Sequence, residues 1–179
     1  PRWQGYSYCD EGVRFITSEN VLDGHLSLFP GKFLPLEFDN KLQRSRLEVG
    51  DILVNIVGGS IGRICAVPEG VGRANINQAV ALIRPDPVVL YPGYLLSVLL
   101  APSAKHALCS KKVDDYKPNL SLAVIRGFQV SLPPLDIQKA HVTCIQSVSN
   151  CISSLEARSR KNQHLLSDLL SISLLGSIG

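Results

Sequence analysis

Residues 135–175 read LDIQKAHVTCIQSVSNCISSLEARSRKNQHLLSDLLSISLL, a stretch without proline or glycine that follows Leu132-Pro133-Pro134. Its apolar residues recur in a heptad. Ile137, Cys144, Cys151, Leu165 and Ile172 fall in one register seven apart, with Arg158 in the remaining place. Val148, Leu155 and Leu169 form the intermediate seam, interrupted by Asn162. A two-seam stripe of this kind is satisfied by packing against another helix. At 1.5 Å per residue the helix runs roughly 60 Å, well beyond the radius of a compact domain. A rod on a globular body suits a protein that measures or bridges a distance better than an enzyme closed around a pocket.

The 179 residues leave room for one further domain besides this helix. Hydrophobic content of 45% and charged content of 18% are those of a folded chain. Residues 1–133 hold 14 lysines and arginines against 12 acids, and the net charge is +3. An anionic partner must therefore be argued from local clusters. Five cysteines without metal-like pairing, and no secretory signal at the start, fit a reducing, cytoplasmic setting. No apolar run reaches the length of a membrane span. Methionine is absent, position 1 included, which is expected of a piece of a longer polypeptide or of a sequence that omits modified residues.

Along the body, Val13–Thr17 and Leu26–Phe29 read as strands, and Glu37–Arg46 as a polar helix. Ile52–Val57 and Ile61–Val67 flank Gly58-Gly59-Ser60, a hairpin signal whose glycines permit positive φ. Gln78–Ile83 reads as a further central strand. Tyr91–Leu108 is helical, split by Pro102. Ser110–Leu120 is a polar loop, Ser121 a helix cap, and Phe128–Leu132 a last strand. These elements predict an α+β domain over residues 1–133, a twisted sheet with flanking short helices. One long coiled-coil helix follows over 134–175.

No catalytic constellation assembles. The Gly58–Gly62 cluster lacks the lysine of a phosphate-binding loop, and a strand follows it rather than a helix. The four histidines share no metal-ligand spacing. No nucleophile elbow or working carboxylate pair stands out, so no metal, cofactor or enzymatic activity is expected. Two polar clusters remain: Arg63, Arg73, Asn75, Asn77, Gln78 and Arg84; and Lys105, Lys111, Lys112, Tyr116, Lys117 and Asn119. Lysine and arginine neutralise phosphates, whereas arginine, asparagine and glutamine also match base edges. Either the clusters touch nucleic acid or they are ordinary solvated loops.

Several segments, in order, resemble the specificity subunit of type I restriction–modification systems. They are Gly12-Val13-Arg14-Phe15-Ile16-Thr17-Ser18-Glu19-Asn20 with Asp23-Gly24; Gly50-Asp51-Ile52-Leu53-Val54, Gly58–Arg63, Ala66-Val67-Pro68 and Asn75-Ile76-Asn77-Gln78; then Pro118-Asn119-Leu120-Ser121 and Phe128–Leu135, with Gln138 in the helix. The resemblance covers nearly the whole chain. It implies a non-catalytic subunit that reads double-stranded DNA and directs adenine methylation and cleavage by partner subunits. Those partners are methyltransferase (modification) subunits and a restriction motor subunit. A full subunit of that family carries two recognition domains, held apart by two antiparallel helices. This chain shows one of each and enters the domain late. It therefore reads as half of a two-domain protein, a natural half-length subunit or a shortened chain.

The residues expected to touch DNA are Arg63, Arg73, Asn75, Asn77, Lys111, Lys112, Tyr116, Lys117 and Asn119. Those expected to pair the helix, in a homodimer when half-length, are Ile137, Val148, Cys151, Leu155, Arg158, Asn162, Leu165 and Leu169. The rival reading is a protein–protein adaptor acting through the helix alone.

Overall fold

A computed structural model describes residue 5, residues 7–109 and residues 119–175, with side chains described as far as residue 165. The chain divides into two compact units, Pro1–Lys139 and Ala140–Gly179. The first mixes short strands with short helices, and most of the second lies in a single helix, the α+β arrangement expected from the sequence.

Two three-stranded sheets build the first unit. In one, β1 (Val13–Ile16) lies between β4 (Phe33–Leu34), antiparallel, and β7 (Ala74–Ile76), parallel. In the other, β5 (Ile52–Asn55) lies between β6 (Ile64–Ala66) and β8 (Val80–Ile83), both antiparallel. A small hairpin, β2 (Val21–Leu22) with β3 (His25–Leu26), donates its Gly24 N–H to the Ile64 carbonyl at 2.8 Å. Every residue of β5 is buried. Leu53 enters one apolar cluster, with Ile16, Val21 and Val80, and Ile52 and Val54 enter another, with Leu95, Leu99 and Leu120. A strand covered on both faces reads as a near-continuous apolar run, and Ile52–Val57 is one, interrupted only by the buried Asn55.

The helices follow local chemistry. In α2 (Pro92–Leu100) proline takes the first position, where its missing N–H leaves no bond unmade. Pro102 then opens α3 (Pro102–Cys109). The Ser121 hydroxyl accepts the Val124 N–H at 3.2 Å and starts α4 (Leu122–Arg126), as its position suggested. The last helix, α5, runs Leu135–Leu175.

Several expectations need correction. The polar helix is shorter, α1 (Leu36–Lys41), followed by a 3-10 turn at Gln43–Ser45. Strand β3 stops at Leu26, because the Ser27 hydroxyl turns back onto the Phe29 carbonyl at 2.7 Å. Phe128–Leu132 joins no ladder, and Phe128 and Val130 instead pack on the cluster around β5. The turn before β6 is longer than two glycines: positive φ falls at Gly58 (84°) and Gly62 (83°), while Gly59 carries none. The positive φ of Gly62 is what calls for glycine, and a Cβ there would also stand 2.7 Å from the Cys109 Sγ, which would have to shift.

Candidate nucleic-acid interface

Strand registers place the candidate residues at two opposite ends of the sheets. At one end, the Asn55 N–H donates to the Arg63 carbonyl and the Asn77 N–H to the Ile16 carbonyl, at 2.9 and 3.0 Å. There the Ile56 N–H also reaches the Ala79 carbonyl, and the Leu120 N–H the Ile56 carbonyl, both at 2.9 Å. An isolated bridge joins Val57 to Asn119. The β5–β6 turn, the β7–β8 turn and Asn119 therefore form one edge, which carries Arg63, Asn77, Gln78 and Asn119.

Arg63, Gln78 and Asn119 are exposed. Their side chains make no hydrogen bond or ion pair among the described residues. Asn77 is half-buried, and its Oδ1 accepts the Ala79 N–H at 3.1 Å, so it builds the turn rather than pointing outward. The nearby carboxylate of Asp23 is neutralised by Lys105 at 2.6 Å. What remains available at this edge is one guanidinium and two carboxamides, the groups suited to bidentate contact with base edges. Lys111, Lys112, Tyr116 and Lys117, which precede Asn119, lie outside the described residues.

Arg73 and Asn75 do not join this edge. Arg73 precedes β7, four residues and roughly 13 Å of strand from Asn77. Asn75 is fully buried, its Nδ2 donating to Asp39 at 2.8 Å and its Oδ1 accepting from the Ser45 hydroxyl at 2.7 Å. Arg84 is spent as well. It makes a two-pronged pair with Asp51, both bonds at 2.7 Å, and a third bond to Glu48 at 2.6 Å. No local pattern shows this, because Asp39 and Asn75 stand 36 positions apart.

Asp39 is 1% exposed and takes two bonds from Arg46, at 2.9 and 2.8 Å. The Arg46 bond holds its carboxyl below the usual range against the opposing effect of burial, and Asn75 adds to the lowering. A carboxyl depressed in the fold stabilises it above the ordinary value of 3.8, and that stability is lost as pH falls below it. Melting temperature should therefore hold down to about pH 5 and then drop. Asp39→Asn should melt lower at pH 7 but with a shallower acid drop, measured by circular dichroism. Parallel curves for the two proteins would show that Asp39 is not responsible.

Helix α5 exposes Val148 at 54%, Leu155 at 57% and Leu165 at 51%, with Ile137, Cys151, Arg158 and Asn162 also exposed. The Leu169 side chain lies outside the described ones. Ile145 and Ile152, which the heptad reading passed over, are exposed at 45% and 51%. At 100° per residue they share a face about 120° wide with Cys144, Val148, Cys151 and Leu155. Among the described residues no cluster of His, Cys, Asp or Glu could hold a metal, and no helix is long and apolar enough to cross a membrane.

Comparison with known proteins gives the family. The family model for the type I restriction modification DNA specificity domain matches residues 10–163, and the chain belongs to that family. It is 30% identical over 146 residues to the type I restriction enzyme EcoBI specificity subunit of Escherichia coli, covering 82% of this chain and 30% of that protein. It is 23% identical over 175 residues to the MjaVIII specificity subunit of Methanocaldococcus jannaschii, covering 96% of this chain and 41% of the relative. The chain thus spans well under half the length of these relatives. Among solved structures, a chain of a type I R-M system aligns with a TM-score of 0.67 at 17% identity, covering 94% of this chain and 39% of its own length. The HsdS subunit from Thermoanaerobacter tengcongensis aligns with a TM-score of 0.64 at 14% identity, over 90% of this chain and 44% of that one.

Proposed function

We propose that this chain is a non-catalytic, DNA-reading module of a type I restriction–modification complex. It directs adenine methylation by modification subunits, and cleavage by a restriction motor subunit, in the cytoplasm. Residues 1–133 are the recognition domain, and 134–175 the spacer and dimerisation helix. One observation carries the reading: Arg63, Gln78 and Asn119 share one edge with no partner among the described residues, whereas Arg46 and Arg84 elsewhere are neutralised in place. The relatives named as specificity subunits support it.

Lys111, Lys112 and Lys117, just before Asn119 in sequence, supply phosphate contacts with Tyr116 among them, since an ammonium is a point charge rather than a base-reading fork. Arg63 is the first candidate for base readout. Arg73, at the far end of β7, is left to phosphate contact at most.

Salt-dependent binding to duplex DNA tests this. Lys111→Ala with Lys112→Ala should weaken binding to every sequence and reduce the slope of log affinity against log salt by roughly 0.9 per lost contact. Arg63→Ala should cost about 1–3 kcal/mol on the preferred site and relax preference at one base position. Unchanged affinity and slope in the lysine variant would remove the DNA placement and leave the adaptor reading.

A further inference from the structure

A cavity of about 1160 Å³ opens within the first unit, and strand β8 runs along it. It exceeds the ~300–1,000 Å³ typical of small-molecule pockets, so its size suits a length of polypeptide better. Val80, Ala81, Leu82, Ile83 and Arg84 line it in unbroken succession. Side chains alternate between the faces of a strand, so an opening that touches five in a row lies along the strand's edge.

The hydrogen-bond pattern identifies that edge as open. Residues 52–55 pair with 83–80, and the Ile56 N–H bonds the Ala79 carbonyl. Bonds in an antiparallel ladder recur at every second residue, so Ala81 and Ile83 point their polar groups at β5. Leu82 points its N–H and C=O the other way, into the cavity. Neither finds a partner among the described residues.

Unpaired backbone groups facing an apolar space are costly, and an added strand satisfies them. Its lining draws on two apolar clusters, Phe15, Phe38 and Leu42 in one and Leu95, Leu99 and Phe128 in the other. A strand lying between them has apolar side chains on both faces. The charged lining is Arg44, Arg84 and Arg126, of which Arg84 is already paired with Asp51 and Glu48. Arg44 and Arg126 form no ion pair among the described residues.

We propose that this groove is a strand-acceptor site. An extended apolar segment of a partner polypeptide, bounded by carboxylates, pairs its backbone with the open edge of β8. Backbone bonds to Leu82 supply the register, and Arg44 and Arg126 take the flanking acids. The groove also takes in Asn77 and Gln78 and so adjoins the edge proposed to read DNA, but the strand pairing is argued from β8 and not from that reading.

The test is residue-resolved amide exchange by NMR on this chain, alone and with the peptide Ac-Glu-Val-Ile-Val-Leu-Glu-NH2. Alone, the Leu82 N–H should exchange at least tenfold faster than those of Ala81 and Ile83. Excess peptide should slow Leu82 at least tenfold, while a copy with alternate amides N-methylated should not. Arg126→Glu should weaken the peptide about tenfold. If Leu82 is already protected in the chain alone, the edge is covered by the chain itself or by a second copy, and the proposal falls. Equal protection by both peptides would show apolar filling without strand pairing and overturns it, as does protection by neither. An unchanged affinity in Arg126→Glu would overturn the carboxylate-bounded partner.

Discussion

Gln138→Ala should lower the melting temperature by roughly 6–12 °C, the shift expected for about 3 kcal/mol in a chain of this size. Few side chains of the first unit are as fully committed. Gln138 is completely buried. Its Oε1 accepts the Tyr91 N–H at 2.8 Å, and its Nε2 donates to the Val89 carbonyl at 3.0 Å and the Pro133 carbonyl at 2.8 Å. One side chain in the first turns of α5 thus fastens both the start of α2 and the proline pair. Truncation leaves a part-buried backbone donor and two part-buried acceptors without their partner. Such a group costs about 1–3 kcal/mol where water cannot reach it, so about 3 kcal/mol for the three together is at the low end. Gln138→Glu retains the acceptor for Tyr91 but loses both donors, so it should not restore the parent value. The exposed Gln129→Ala serves as the control and should melt with the parent. A Gln138→Ala protein that melts within a degree of the parent would mean that water replaces all three bonds.

The residue types carried some of this and not the rest. Helix α5 was legible because a proline- and glycine-free heptad needs no tertiary information. Pro102 and Ser121 acted as local punctuation for the same reason. Strands β4 and β7 were invisible: they are two and three residues long and exist only because β1 lies between them. Parallel pairing of β1 with β7 joins residues sixty apart, and nothing near Ala74 announces it. The candidate site divided along the same line. Arg63 and Asn119 sit beside turns, where exposure follows from turn chemistry. Asn75 looked identical in type to Asn77, yet Asn75 lies within β7 and reaches Asp39 and Ser45, while Asn77 follows the strand and holds the turn to β8. Both asparagines build rather than read, and the partners that commit Asn75 are set by register, a long-range property.

The double substitution Leu155→Asp and Leu165→Asp should abolish the self-association proposed for α5. Among the described residues of the second unit nothing covers the exposed apolar row, and pairing with a second helix is the ordinary remedy. Leu155 and Leu165 flank Arg158 and Asn162, which break the seam near its middle. A buried polar pair there lowers stability but fixes register and orientation, consistent with an antiparallel homodimer. Each leucine is about half exposed, so each substitution forfeits roughly 1 kcal/mol of burial and adds at least as much in carboxylate desolvation. Four sites per dimer sum to roughly 8 kcal/mol, enough to raise the dissociation constant at least ten-thousandfold. Sedimentation should then report a monomer, while melting of the first unit and protection of Ala81 and Ile83 stay unchanged. Serine at both positions should give an intermediate loss, since it removes burial without adding charge. A parent chain that already sediments as a monomer at several hundred micromolar would end the self-pairing proposal, and the stripe would then belong to a helix of a different chain.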